Sequence, residues 1–130
     1  MPVTIEYAQD GIGVVLYHKG VVTGEELYEA ISKVYGDSRY PTLRYWIADR
    51  SDCTQFLPGY DWQQKIICLN KQESLRNPGM LIALVSPKDL EFGMSRMFQV
   101  LSEGDQFKKE VFRNREKAEK WIRKELSAAK

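Results

Sequence analysis

One uninterrupted apolar run, residues 80–85 (MLIALV), constrains the fold more than any other part of the sequence. Six consecutive apolar residues offer no polar side to water, so an extended segment of this composition must be covered on both faces. Strands of this kind are typical of parallel sheets that carry helices. Asn77-Pro78-Gly79 precedes the run and Ser86-Pro87 follows it, and both stretches interrupt regular structure. The run therefore predicts a central strand of an α/β sheet.

The rest of the chain predicts strands and helices in alternation. Thr23 and Glu26 form a capping-box pattern at the start of the first helix, and Gly36 ends that helix. The predicted strands cover 3–8, 12–18, 43–48, 80–85 and 107–113, and the predicted helices cover 24–35, 60–75, 86–102 and the segment after Asn114. This order is β-β-α-β-α-β-α-β-α. It predicts an antiparallel opening hairpin, then right-handed crossovers, in a mixed but mostly parallel five-stranded sheet of the α/β class. With 130 residues and no linker-like stretch, we expect a single domain over 1–130.

Apolar residues recur at helical spacing in the last three predicted helices, and we expect them to face the core. For the third helix, the sequence predicts Ser86 as the cap and Pro87 at the first position. The expected buried stripes are Trp62, Ile66, Ile67 and Leu69 in the second helix, Leu90, Met94, Met97, Phe98 and Leu101 in the third, and Ala118, Trp121, Ile122 and Leu126 in the last.

Composition limits the kinds of function that can be expected, although it does not identify one. The net charge is +1, although residues 108–130 carry nine Lys/Arg against four Glu. A solvated amphipathic helix explains that excess better than a nucleic-acid footprint does, so no nucleic-acid partner is expected. The first residues lack a signal-peptide pattern, and no apolar run approaches the length of a transmembrane segment. Cys53 and Cys68 have no metal-binding spacing, which favours a cytoplasmic protein with two free thiols, Cys68 being the buried one.

Several stretches along the chain resemble the anti-sigma-factor-antagonist (STAS-like, SpoIIAA-like) fold, and more closely a group of small uncharacterised bacterial proteins with that fold. The matching stretches are Gly20 with "TGEEL", "WIADRSDCTQF", "ALVSPKDLEFGMSRMFQVLSE" and "VFRNREKAEKWI". The resemblance implies a regulatory module that binds proteins or ligands rather than a known catalyst. The wider superfamily includes phosphoregulated partners of anti-sigma kinases and cytoplasmic domains of anion transporters, and a related fold binds lipids.

The segment at 48–62 (ADRSDCTQFLPGYDW) is expected to form a loop that carries interactions. In the phosphoregulated relatives, the acceptor serine would fall at Pro58 or Gly59, and neither has a hydroxyl, so we expect no phosphoserine switch. The candidate interaction residues of this segment are Asp49, Ser51, Thr54, Phe56 and Tyr60. The polar ones, with Asp52, are expected to bond loop amides, since an Asp49–Asp52 metal or acid pair lacks a partnering histidine.

A second candidate site lies in the third predicted helix, at 92–99 (FGMSRMFQ). Methionines adapt to irregular ligands as well as to irregular cores, and an arginine can hold a carboxylate or phosphate head. Two interpretations therefore stay open, ordinary core packing and a pocket for an amphipathic anion. The candidate pocket residues are Trp62, Met94, Arg96, Met97 and Phe98.

The sequence as a whole favours a non-enzymatic, STAS-like regulatory module acting through contacts with a protein partner or with a second copy of itself. The alternative function is binding of a small apolar or lipid-like anion. His18, the only histidine, has no serine or cysteine at a spacing diagnostic of catalysis. We therefore expect neither enzyme activity nor a cofactor or metal.

Overall fold

The computed structural model describes residues 2–128, which form a five-stranded sheet flanked by four α-helices. The strands are β1 (Val3–Tyr7), β2 (Gly13–Thr23), β3 (Tyr45–Leu57), β4 (Leu81–Val85) and β5 (Lys108–Phe112). The helices are α1 (Gly24–Tyr35), α2 (Tyr60–Ser74), α3 (Asp89–Leu101) and α4 (Arg115–Ala128), with a short 3-10 turn at Tyr40–Thr42. The predicted order of elements is confirmed.

The strands lie in the order β1-β2-β3-β4-β5. The opening pair β1–β2 is antiparallel, and the pairs β2–β3, β3–β4 and β4–β5 are parallel. Each parallel strand is joined to the next by one helix, and crossovers of one hand along a sheet of sequential order place those helices on the same face. The predicted mixed, mostly parallel α/β sheet is therefore confirmed.

Two hydrophobic cores lie on opposite faces of this sheet. On one face Trp46 and Leu84 pack with Ile31 of α1 and Ile66 of α2. The opposite core consists mainly of Val15, Ile47, Ala83, Val85, Ala118 and Ile122, and α4 supplies its helical side. All five residues of β4 are buried, because helices cover this strand on both faces. The apolar run at 80–85 predicted this position correctly.

Strand β3 is longer than predicted. The sequence predicts a strand over 43–48 followed by a loop, whereas the strand runs from Tyr45 to Leu57 and pairs with β2 up to Leu57. The pairing with β2 shifts register twice, near His18 and near Gly20. Each shift adds one unmatched residue to β3, so the alternation of inward and outward side chains is interrupted. Without regular alternation, the second half of β3 has the sequence pattern of a loop.

Helix α3 differs from its prediction at its start and in the face it buries. It begins at Asp89 with Lys88 as N-cap, because Ser86 is fully buried and its hydroxyl lies 2.8 Å from that of Ser95. The expected buried stripe is wrong for Leu90, Met97 and Leu101, which are 71%, 61% and 52% exposed, whereas Met94 and Phe98 are half-buried. Glu91 and Ser95 are the buried residues instead.

The two cysteines exchange their expected environments. Cys53 is fully buried in β3, whereas Cys68 is exposed on α2, so the prediction of a buried Cys68 is wrong. Both thiols are unbridged, as predicted. Among residues 2–128, no helix has both the length and the apolar character needed to cross a membrane.

Candidate functional site

A cavity of about 60 Å³ lies between the sheet and helices α1, α2 and α3. Its walls are largely apolar, and one end carries His18 and Arg50. The sheet contributes Leu16, His18, Trp46, Ala48, Arg50, Phe56, Ile82 and Leu84. The helices and the turn before α2 contribute Leu27, Ile31, Tyr35, Pro58, Gln63, Ile66, Asn70, Met94 and Phe98.

The first register shift of β3 places the two basic side chains together. Tyr17 pairs with Asp49 and Lys19 with Asp52, so Arg50 and Ser51 stand opposite the single residue His18. A bulge of this kind re-aims side chains, and bulges are common beside functional sites. Here Arg50 and His18 face the same cavity from the middle of two neighbouring parallel strands.

Arg50 is buried without a counterion in contact. Its residue exposure is 7%, and Nη1 donates a 2.9 Å hydrogen bond to Oγ of Ser95. The guanidinium carbon lies 4.8 Å from the ring centroid of Phe56, within cation–π range. Nε has no hydrogen-bond partner, and no carboxylate among residues 2–128 lies within ion-pairing distance of this side chain.

Burial lowers the pKa of Arg50 to about 10, and the charges of Cys53 and Glu91 oppose that shift only partly. A pKa near 10 still leaves the guanidinium charged at neutral pH. The cavity therefore contains a fixed positive charge in apolar surroundings.

His18 is held neutral beside this charge. Its residue exposure is 1%, and neither Nδ1 nor Nε2 has a hydrogen-bond partner within the described chain. Burial first, and then the charge of Arg50, hold the pKa of His18 well below 6.5. A neutral imidazole offers one N–H donor and one acceptor nitrogen, so His18 brings an unused donor to the cavity.

The cavity wall contains a second polar contact, between α1 and α2. The Tyr35 hydroxyl donates a 2.5 Å hydrogen bond to Oδ1 of Asn70, linking α1 to α2. Burial, followed by the nearby Tyr40, Asp105 and Glu73, raises the pKa of Tyr35 well above its ordinary value. This tyrosine therefore stays protonated and acts as a fixed donor, leaving the charge of the cavity to Arg50.

The structure divides the predicted ligand pocket. Met94 and Phe98 do line the cavity, but Trp62, Arg96 and Met97 are not part of its lining. Arg96 is exposed and lies 4.0 Å from Glu110 on β5, and Met97 points to solvent. The cation of the cavity is Arg50, one residue after the apolar stretch of β3.

The predicted interaction loop is a strand up to Leu57 and a helix from Tyr60 onward, and its side chains point to different sides. Phe56 lines the cavity, while Thr54 and Tyr60 are exposed. Asp49 and Ser51 lie outside the cavity lining, and Oδ1 of Asp49 accepts hydrogen bonds from the amide and the hydroxyl of Ser51. These bonds agree with the predicted amide-bonding role.

The other carboxylate oxygen of Asp49 accepts a 3.2 Å bond from Arg115, at the start of α4. No group of three or more His, Cys, Asp or Glu within residues 2–128 is placed to hold a metal ion. The position expected for a phosphoserine falls just before α2, where Gly59 is the N-cap with φ of 70°. The absence of a phosphoserine switch remains a prediction.

Sequence reasoning missed both basic residues of the cavity. Arg50 follows the apolar stretch YWIAD, which ordinarily places an arginine at a strand end in water. Its burial depends on the continuation of β3 and on the bulge opposite His18. The one feature of the sequence that could have indicated a buried arginine was its position close behind a strand predicted to be buried.

The strand order, the one-sided helices and the returning α4 define an α/β domain with the SpoIIAA-like (STAS) fold. A solved structure with this fold is that of an uncharacterized protein of the DUF3478 family from Shewanella loihica PV-4. It matches this chain with a TM-score of 0.56 and 15% sequence identity, covering 92% of this chain and 91% of the other. No family model and no curated protein matches the sequence.

Proposed function

We propose that this chain is a non-catalytic binding module whose cavity takes a small anion with an apolar part, the anionic group lying against Arg50. One observation carries the proposal, which is the buried guanidinium of Arg50 without a counterion in an apolar cavity. A buried charge costs free energy unless it is paired and hydrogen-bonded. A bound anion would supply that pairing, with the Nε–H of Arg50 as a donor.

The chemistry of the cavity supports binding rather than catalysis. The strongly lowered pKa of His18 makes it a weak base, and general-base catalysis is most efficient with a pKa near the working pH. Burial raises the pKa of Cys53, which keeps this thiol protonated and unreactive. Pockets that bind small molecules commonly combine apolar walls with a few polar groups that orient the ligand.

The test measures binding of sodium salts of aliphatic monocarboxylates by ¹H–¹⁵N NMR to the wild-type protein and to Arg50→Met. Methionine fills much of the arginine volume without its charge, so this variant should fold and lose at least tenfold in affinity. Arg96→Met is the matched control, because it removes an exposed arginine outside the cavity. Equal binding by Arg50→Met and wild type, or no binding by wild type, would contradict the proposal.

A second candidate function, contact with a protein, is supported by the outward face of α3. Leu90, Met97 and Leu101 recur at spacings of seven and four residues, which is the spacing of a helix–helix seam. All three are more than half exposed. Clustered exposed apolar side chains of this kind mark contact surfaces, and an isologous pair of α3 helices from two copies would cover the stripe.

Self-association through α3 is tested by sedimentation velocity over a range of protein concentrations. Met97→Glu should abolish any dimer, because it puts a charge in the centre of the seam. Gln64→Glu, which adds the same charge on an exposed position of α2, is the control. If the wild-type protein is a monomer at every concentration, self-association through α3 is excluded. The partner of this surface would then have to be a different protein.

A further inference from the structure

We infer that the occupant of the Arg50 cavity is a short-chain monocarboxylate of about two to four carbons, an inference that rests on the proposed function and narrows it to a ligand class. It depends on three observations: the single positive charge of the cavity, the unused donors of Arg50 and His18, and the small volume of the cavity.

The charge and donors fit one carboxylate. Arg50 provides one positive charge, its Nε–H is unpartnered, and the neutral ring of His18 supplies one further N–H. A carboxylate has one negative charge and two oxygens, so these two donors can serve one oxygen each. Glu91 is buried nearby and its charge acts on Arg50, which disfavours a second negative charge on the ligand. A phosphate dianion would therefore be left with an unpaired charge and unmet acceptors.

The volume limits the apolar part of the ligand. The cavity has a volume of about 60 Å³. A site for one water needs about 10–15 Å³, so the space corresponds to only a few water-sized groups. Acetate, propionate and butyrate have that size, whereas a longer chain would have to displace Met94 or Phe98 of α3.

The lining also selects against a second polar end. Beyond Arg50 and His18, the wall consists mainly of aliphatic and aromatic side chains such as Leu16, Ile66 and Leu84, and its other polar side chains, Tyr35, Gln63 and Asn70, carry no charge. A dicarboxylate would bury its second carboxylate among them without a cation, and an unpaired buried charge is strongly unfavourable. The ligand class is therefore a monocarboxylate whose alkyl group carries no second charge.

The experiment compares dissociation constants, by NMR titration, for acetate, propionate, butyrate, hexanoate, octanoate, succinate and inorganic phosphate. We expect propionate or butyrate to bind best, and hexanoate, octanoate, succinate and phosphate to bind at least tenfold more weakly. Arg50→Met should lose at least tenfold in affinity for butyrate. Preference for octanoate, or a preference for succinate that depends on Arg50, would overturn the inference while leaving the proposed function standing. Preference for phosphate, which has no apolar part, would contradict both. If no anion binds, both fail.

A pair of variants tests the volume argument separately. Met94→Ala enlarges the cavity from the α3 side, so hexanoate should then bind at least as well as butyrate. Met97→Ala is the matched control, because it makes the same change on the same helix at an exposed position outside the cavity. If the NMR spectrum shows that Met94→Ala is folded and its order of affinities for the different chain lengths is unchanged, the argument from cavity volume is overturned.

Discussion

At the scale of single residues, Arg50 lowers the stability of the unliganded protein. Its charge is buried and opposed by no contacting carboxylate, and removing such a charge for an apolar side chain is often stabilising. We predict that ligand-free Arg50→Met gains about 1 kcal/mol or more in the free energy of unfolding, measured in urea. The exposed Arg96→Met should change by no more than about 0.5 kcal/mol. A large loss of stability in Arg50→Met would show that its bond to Ser95 outweighs the cost of burial.

His18 makes stability depend on pH in mildly acid solution. Because its folded-state pKa lies well below 6.5, only the unfolded chain takes up a proton as pH falls below 6.5. The contribution of His18 to the free energy of unfolding is therefore fully present above pH 6.5. As the pH falls below 6.5, this contribution decreases by up to about 1.4 kcal/mol per pH unit. The sequence has no other histidine. His18→Leu should consequently remove the dependence between pH 5 and 6.5, as measured by urea unfolding at several pH values, and an unchanged slope would contradict the neutral state of His18.

At the scale of elements, α1 is fixed by local chemistry that the sequence already displays. The Thr23 hydroxyl accepts a bond from the Glu26 amide, and Glu26 accepts one from the Thr23 amide in return. Thr23→Ala should lose about 1 kcal/mol in the free energy of unfolding, because helix amides lose an acceptor. Thr23→Ser keeps the hydroxyl and should lose clearly less. Equal losses in the two variants would assign the effect to the methyl group instead of the cap.

Helix α3 shows the opposite relation between sequence and packing. Leu90, Met97 and Leu101 face outward, while Ser95 packs inward and joins Arg50 to Ser86 through two hydrogen bonds. The same helix thus contacts the cavity on one side and presents an apolar surface on the other. The orientation of α3 follows from the hydrogen bonds that Ser95 makes with Arg50 and Ser86. A pattern of hydrophobic residues in the sequence does not reveal such polar contacts.

At the scale of the whole molecule, the two cores share one sheet and should unfold together. Trp46 lies in the core beneath α1 and α2, and Trp121 of α4 packs against the core on the opposite face. The two test variants are Trp121→Phe, which leaves Trp46 and Trp62 as emitters, and Trp46→Phe, which leaves Trp62 and Trp121. We predict that, in each variant, the fluorescence transition in urea coincides with the circular dichroism transition. Separate transitions would mean that α4 is an independent layer and would contradict the prediction of one domain.

The sequence by itself determined the order of the elements, the antiparallel hairpin, the parallel sheet and the position of β4, because local spacing and turn residues encode them. It also determined the cap of α1, whose partners are three residues apart. Only the tertiary structure decided the length of β3, the outward face of α3 and the burial of Arg50 beside His18. The physical reason is that a bulge is a property of two paired strands. Residues 17–19 and 49–52 have to be aligned before the unmatched residue exists, and only then does the arginine turn into the cavity.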